Sequence, residues 1–346
     1  MGVFSSGGVG IDLGSANVTI FLENEGVVLR EPSYVLALRD DPDSVLACGR
    51  DARQMLGRTP RAAVLLSPVM DGAVADVELT TTLLRELSEK AIGRRRALDR
   101  TRVVVSMGLG VTRVERAALE QAVKALGARN AALIRASAAA AVGAGVPISE
   151  PKGVMLVNIG GSTTEVAVFS MNGVVASRAS RTGGMALDEA IIRYIRNEKG
   201  LVIGQRTAED LKIDIGTVAQ EGSEGDEEVL LRGRDVSTGK PSTVSVSRRD
   251  VHRAILPPLQ ALLENIREAF ENTPPELAAD ILERGVYLSG GGARLEGLRE
   301  RLGAFLNMPV HMGESPEDDV ASGAGAVAAD ERLYARLLQT GCLIEL

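Results

Sequence analysis

At 346 residues the chain is too long for one small core and suits two domains or one duplicated fold. Its apolar share of 45% is ample for globular cores, no stretch is long enough to cross a bilayer, and a net charge of −7 argues against a general nucleic-acid binder. Trp is absent, aromatics are few, and Cys48, Cys342, His252 and His311 are scattered, so neither base-stacking platforms nor a structural metal are expected. With no signal-peptide pattern at its start, the chain reads as a reduced, cytoplasmic protein.

The first interpretable element runs from Val9 to Phe21: an apolar strand, the turn Asp12-Leu13-Gly14-Ser15-Ala16-Asn17, and a second strand. Glycines let a backbone approach a phosphate closely, and successive N–H groups in such a turn make an anion-binding concavity. Strands follow at 26–32, 33–38 and 45–48, with a turn at 39–44 and a short helix at 51–56. Together they suggest a small inserted subdomain over about residues 31–71. A helix is expected at 77–91, a core strand at 101–106, a helix at 114–126, a strand at 131–134 and an alanine-rich helix at 136–144. Residues 146–153, with two prolines and a glycine, read as a linker.

Past the linker the opening pattern returns. Val154 to Val157 is an apolar run, Asn158-Ile159-Gly160-Gly161-Ser162-Thr163-Thr164 is a glycine turn studded with hydroxyls, and 165–169 is a strand. Two matching hairpins imply a duplicated domain that grips one phosphorylated ligand from both sides, with Asn158 standing where the first copy has Asp12. Helices are expected at 185–199 and at 207–215, the latter with Thr207 as N-cap. Strands at 229–234 and 242–246, joined to the preceding helix by the acidic loop 221–228, mark a second insertion over about 183–247. A one-faced apolar helix at 259–270, a strand at 285–289, the turn Gly290-Gly291-Gly292-Ala293 and a helix at 295–306 complete the scheme. The halves divide at about 1–148 and 149–346, and residues from about 313 onward are expected to pack back on the first half.

Two phosphate hairpins, a linker and a late triple-glycine turn resemble the actin-like ATPase fold: α/β, duplicated, two halves around a nucleotide cleft, each with a smaller inserted subdomain. The likeness goes further. Gly10 to Asn17, Met55 to Pro60, Thr207 to Ile213, Arg232 to Asp235 and Thr273 to Ile281 are similar, in order, to segments of the MreB/Mbl bacterial actin family. The resemblance implies ATP between the halves and filaments of the chain with itself or an MreB paralogue. It also implies work with the cell-wall elongation machinery at an anionic membrane surface, on the inner face of the cell membrane. By the same resemblance, Asp12, Gly14, Ser15, Ala16 and Asn17 match the first phosphate loop, and Gly160, Gly161, Ser162 and Thr163 the second. Glu209 and Lys212 match the ribose-facing pair, and Gly290, Gly291, Gly292 and Ala293 the adenosine loop. Asp12 is the candidate for holding Mg²⁺ through water. Arg94, Arg95, Arg96, Ala97 and Leu98 match a membrane-binding loop, with Ala97 and Leu98 in the places of two inserted apolar residues.

The departures concentrate where hydrolysis occurs. The family has two glutamates and a proline after Leu-Ile, the second glutamate positioning the attacking water; here the order is Leu133-Ile134-Arg135-Ala136-Ser137. The family's second-loop aspartate is Asn158, and a glycine pair that normally precedes an aspartate is followed by Met185. A positioned general base contributes roughly 10²–10⁴-fold, none of which Ala136 can supply. Asn158 keeps an acceptor oxygen but not the charge that favours a cation, so Mg²⁺ binding is expected to be weakened. The expectation is therefore a cell-shape filament protein that binds ATP with impaired hydrolysis. An ordinary filament-forming MreB ATPase is the alternative, and a sugar-kinase-like enzyme comes third.

Overall fold

The computed structural model describes residues 8–93, 98, 101–128, 130–219 and 227–346. Two sheets carry the fold and are wound alike. In the first, Gly26–Pro32, Asn17–Leu22 and Val9–Leu13 form an antiparallel meander, and Arg102–Met107 and Asn130–Arg135 continue it parallel to Val9–Leu13. In the second, Gly173–Ser180, Thr164–Ser170 and Val154–Ile159 form the meander, and Val286–Ser289 and Val310–Met312 continue it in parallel. Each glycine turn thus joins the two strands at the same point of its sheet. Val154–Ile159 is an unbroken apolar run around Asn158 because both of its faces are covered, and every residue in it is buried.

The first sheet gains a sixth strand from the far end of the chain, where Leu343–Glu345 pairs antiparallel with Asn130–Arg135. Between the sheets lie two helices of small residues, Ala136–Gly143 and Asp319–Ala329. Their core is shared by Val104, Ala132 and Ile134 of one sheet and Val154, Leu156 and Phe169 of the other. The helices meet backbone to backbone. A Cβ on Gly323 would lie 1.9 Å from the Ala139 carbonyl oxygen, and one on Gly143 would lie 2.0 Å from that of Asp319. Separate cores fill the remaining space on the outer side of each sheet.

Each half also carries a small antiparallel sheet: Val35–Leu38 with Val45–Cys48 and Ala63–Leu66, and Glu228–Asp235 with Leu201–Val202 and Pro241–Ser247. Three sequence expectations shift by two residues or more at helix starts, and the one expected at 259–270 runs Arg248–Glu271. The helix expected from Thr207 runs Gln205–Ile215 with Gly204 as its N-cap, and Ala208 N–H donates to Gly204 O at 3.2 Å. Extended Gly204 lets the helix begin as soon as Ile203 is seated in the core, which moves Thr207 inside the first turn. The helix expected from residue 295 starts at Leu298, because Gly297 takes a left-handed conformation (φ 79°) that interrupts it.

Candidate functional site

The two glycine turns face one another across a cavity of about 480 Å³, within the usual range for small-molecule sites. Both turns close the same way: Gly14 N–H donates to Asn17 O at 3.0 Å, and Gly160 N–H donates to Thr163 O at 2.8 Å. They also touch. Ser162 Oγ donates to Ser15 Oγ at 2.9 Å, and a Cβ on Gly161 would come within 2.6 Å of the Ala16 Cβ. Only glycine permits that approach. Asp12, Gly14, Ser15, Ala16 and Asn17 line one wall, and Gly160, Gly161, Ser162 and Thr163 line the other.

The second turn is itself a docking point. Gly184 and Met185, at the start of the Gly184–Glu198 helix, donate their N–H groups to Gly160 O at 3.0 Å and Gly161 O at 2.7 Å. Gly290, Gly291 and Gly292 line the cavity from the side of the second sheet. Gly290 has φ 86°, and a Cβ there would lie 2.3 Å from the Ile159 carbonyl oxygen, so the conformation and the contact both require glycine. Ala293 does not line the cavity. It is 2% exposed within the second-half core, because this turn is a 3-10 helix over Gly291–Arg294 that rolls the fourth residue inward.

Glu209 and Lys212 lie one turn apart on the Gln205–Ile215 helix and face the cavity together. Both are engaged: Lys212 Nζ pairs with Asp188 Oδ1 at 2.7 Å and donates to Gly184 O at 3.1 Å, while Glu209 pairs with Arg53 from the first half's insertion. A second contact crosses the cleft, where Arg30 of the first sheet pairs with Asp318 and, at 3.8 Å, with Glu317.

The floor of the cavity holds two carboxylates. Asp12 Oδ1 accepts from Ser106 Oγ at 2.7 Å, and the same hydroxyl oxygen accepts from Leu13 N–H at 3.0 Å. Loss of water contact pushes the Asp12 carboxyl up to about 6, with the Ser106 hydroxyl pulling the other way. Glu165 is 4% exposed, and burial pushes it up to about 7; the N–H groups of Leu109 and Ser137 oppose this, nearby Asp12 adds to it, and Arg135 opposes it. Asn158, opposite Glu165 in the hairpin, is 8% exposed, and its Oδ1 has no hydrogen-bond partner among the described residues.

The fold is shared with proteins already known. The MreB/Mbl protein family model matches residues 6–336. The chain belongs to the MreB/Mbl family. MreB of Escherichia coli (strain K12) is 43% identical over 330 residues, covering 94% of this chain and 93% of that protein. Mbl of Bacillus subtilis (strain 168) is 40% identical over 319 residues, covering 92% and 95%; both are called cell shape-determining proteins. Among solved structures, MreB5 of Spiroplasma citri bound to ADP has a TM-score of 0.87 at 31% identity, covering 96% of this chain and 98% of that one. Its complex with AMPPNP has a TM-score of 0.88 at 30% identity, covering 98% and 100%. A MamK double helical filament, at 19% identity and a TM-score of 0.72, shares the fold.

Within this MreB/Mbl frame, Ala136 lines the cavity and presents only a methyl group. The oxygens of Asp12 and Glu165 and the unpartnered Asn158 Oδ1 are hard donors that fit Mg²⁺, an ion that keeps several waters and is held jointly by protein carboxylates and substrate phosphates. Among the described residues no three-residue His, Cys, Asp or Glu cluster forms a dedicated metal cage. The membrane-loop expectation is corrected at Leu98. Arg94, Arg95, Arg96 and Ala97 lie outside the described residues, but Leu98 is 6% exposed and packs in the first-half core. An apolar side chain already buried in its own core is not presented to lipid.

Sequence reasoning passed over Ser106, Arg53, Asp188 and Glu165. Glu165 alone had a local signal, being the one charged residue between Val154 and Ser170. Such a charge in a covered strand next to a glycine turn is a signal for a candidate site residue.

Proposed function

We propose that the chain is an ATP-binding, filament-forming MreB-type protein, assembling with itself or a paralogue. It helps organise cell shape and cell-wall synthesis at the inner face of the cell membrane, and its hydrolysis is slowed. One observation carries the nucleotide reading: two like glycine turns, joined by the Ser15–Ser162 hydroxyl contact, enclose one cavity of nucleotide size. The bound ADP and AMPPNP of the Spiroplasma citri MreB5 structures support it, and the cell-shape role follows the curated relatives. Membrane attachment rests on Arg94, Arg95 and Arg96 and is electrostatic. Mg²⁺ would be shared between Asp12 and the phosphates, neutralising charge there; Asn158 makes its hold weaker.

In this reading the turns and Gly290 hold phosphate and adenosine, and the missing acid at position 136 slows turnover. Titrating purified protein with a fluorescent ATP analogue and measuring phosphate release tests both parts. The expected result is saturable binding abolished by Asp12→Ala, with phosphate release at least about tenfold slower than in a relative that has the acidic residue. Absence of binding would overturn the nucleotide reading, and brisk turnover would overturn only the slowed-hydrolysis part. A second reading, an unimpaired ATPase, is favoured by the Glu165 carboxylate on the cavity floor.

A further inference from the structure

We propose that Ser106 is a positioning residue for the cation: its hydroxyl fixes the Asp12 carboxylate at the cavity and so sets how strongly Mg²⁺ tightens nucleotide binding. The inference rests on the nucleotide reading above and adds a residue to that site. The strand Val9–Leu13 runs parallel to Arg102–Met107, with Val9, Gly10 and Ile11 beside Val103, Val104 and Val105. One step further, that register sets Asp12 beside Ser106, where the first strand leaves the ladder for its glycine turn. There Leu13 N–H donates to Ser106 Oγ at 3.0 Å, so a side chain rather than the neighbouring backbone accepts it. A hydroxyl carries a single proton. With its oxygen accepting from Leu13, Ser106 turns that proton to Asp12 Oδ1 at 2.7 Å. Both residues line the cavity, and Ser106 is only 4% exposed, so little water competes for the bond.

The second half provides the comparison. Val154–Ile159 runs parallel to Val286–Ser289, and its register places Asn158 beside Ser289. The two serines therefore occupy matching places, each beside the polar residue that precedes a glycine turn. Ser289 is fully buried, and its hydroxyl points elsewhere, donating to Pro316 O at 3.4 Å. Asn158 Oδ1 is left without a partner among the described residues. The duplicated fold does not by itself direct such a hydroxyl at the strand residue; Ser106 is so directed where that residue is an aspartate. Tying one carboxylate oxygen restrains the torsions that move the other. A cation shared with phosphates needs its carboxylate held still, and loss of a supporting hydrogen bond of this kind costs about 10–100-fold in cation affinity. Accepting from Leu13 merely to end the strand ladder would serve the fold equally with and without a cation, so the two roles are separable.

The test compares the unmodified protein with Ser106→Ala and Ser106→Thr. AMPPNP affinity is measured in Mg²⁺ and in chelator, and Mn²⁺ affinity of the AMPPNP complex is read by electron paramagnetic resonance. Ser106→Ala is expected to bind AMPPNP in chelator within about threefold of the unmodified protein while losing about tenfold in Mn²⁺ affinity, the low end for such a support because water intervenes. Its AMPPNP affinity in Mg²⁺ should fall toward the chelator value. Ser106→Thr keeps the hydroxyl and should hold both quantities within about threefold of the unmodified protein. Unchanged Mn²⁺ affinity in Ser106→Ala, AMPPNP affinity lost equally with and without Mg²⁺, or a loss in Ser106→Thr as large as in Ser106→Ala would each overturn the proposal. So would an unmodified protein whose AMPPNP affinity ignores Mg²⁺. Should Ser106→Ala not fold, Ser106→Cys, whose thiol is a weaker donor, takes its place, and Mn²⁺ affinity at the unmodified level then overturns the proposal alone. Failure of the unmodified protein to bind AMPPNP in either condition would instead strike the nucleotide reading.

Discussion

Single residues set the chemistry at the floor of the cleft. An aspartate facing a triphosphate is tolerable largely because a divalent cation lies between them. In the proposed site Asn158 would remove a repulsion and a source of cation affinity together, and its buried Oδ1 has no hydrogen-bond partner among the described residues. At about 4 Å and an effective dielectric near 20, one unit-charge pair is worth roughly 4 kcal/mol, an upper bound for a solvated cleft. Even a quarter of that is about a fivefold change in an equilibrium constant. ATP affinity in the unmodified protein should therefore depend less on Mg²⁺ than in Asn158→Asp. Nucleotide titrations in magnesium and in chelator, on both proteins, measure this. An equal or larger loss on chelation in the unmodified protein would mean that position 158 does not act on the cation.

Elements divide into a closely packed middle and insertions more loosely tied across the cleft. The Ala136–Gly143 and Asp319–Ala329 helices pack with no side chain between their closest backbones, and two sheets clamp them from either side. Such packing leaves little room for sliding. The insertions have much less holding them together across the cleft. The Arg50–Arg53 helix reaches the Gln205–Ile215 helix through the Arg53–Glu209 pair, whose side chains are 30% and 32% exposed. Pairs this exposed are worth about 0.2–1 kcal/mol and weaken with salt. Arg53→Ala should speed nucleotide dissociation by up to about fivefold, and raised ionic strength should reproduce the effect in the unmodified protein but not in the variant. Stopped-flow release of a fluorescent nucleotide reads both; identical rates in the two proteins at low salt would remove the pair from the closing of the cleft.

For the whole molecule, the proposed membrane attachment is a question of surface charge. A net charge of −7 opposes an anionic bilayer, so attachment depends on concentrating positive charge in one place, and Arg94, Arg95 and Arg96 are consecutive. Each basic residue near such a surface contributes about 1 kcal/mol. Leu98 adds nothing, since its side chain is spent in the first-half core. Binding to anionic vesicles should therefore be weak, fall with salt, and drop by about 10²-fold when all three arginines become glutamine, while Leu98→Ala should affect stability rather than binding. Vesicle co-sedimentation that ignores the arginine changes would exclude this loop as the attachment point.

The duplicated architecture and both glycine turns could be read directly from the chain, for a physical reason. A tight turn that approaches a phosphate needs glycine at particular steps, and a doubly covered strand needs an apolar run, so both demands are written locally at Gly14, Gly160 and Val154–Ile159. The absence of an acid at Ala136 was equally plain. What depended on distant partners was not. The Asp319–Ala329 helix is poor in large apolar residues and rich in glycine, so it has no clear periodicity; only its close fit against Ala136–Gly143 accounts for it. Ser106 finds Asp12 across 94 residues and Arg53 finds Glu209 across 156, and no local pattern records either pairing. Leu98 is matched to a lipid-inserting position by family resemblance alone, whereas its burial is decided by its neighbours in space. Sequence alone determined where the chain makes its tight glycine turns; the tertiary structure decided which side chains gather beside them, because burial and charge pairing are properties of the assembled cleft.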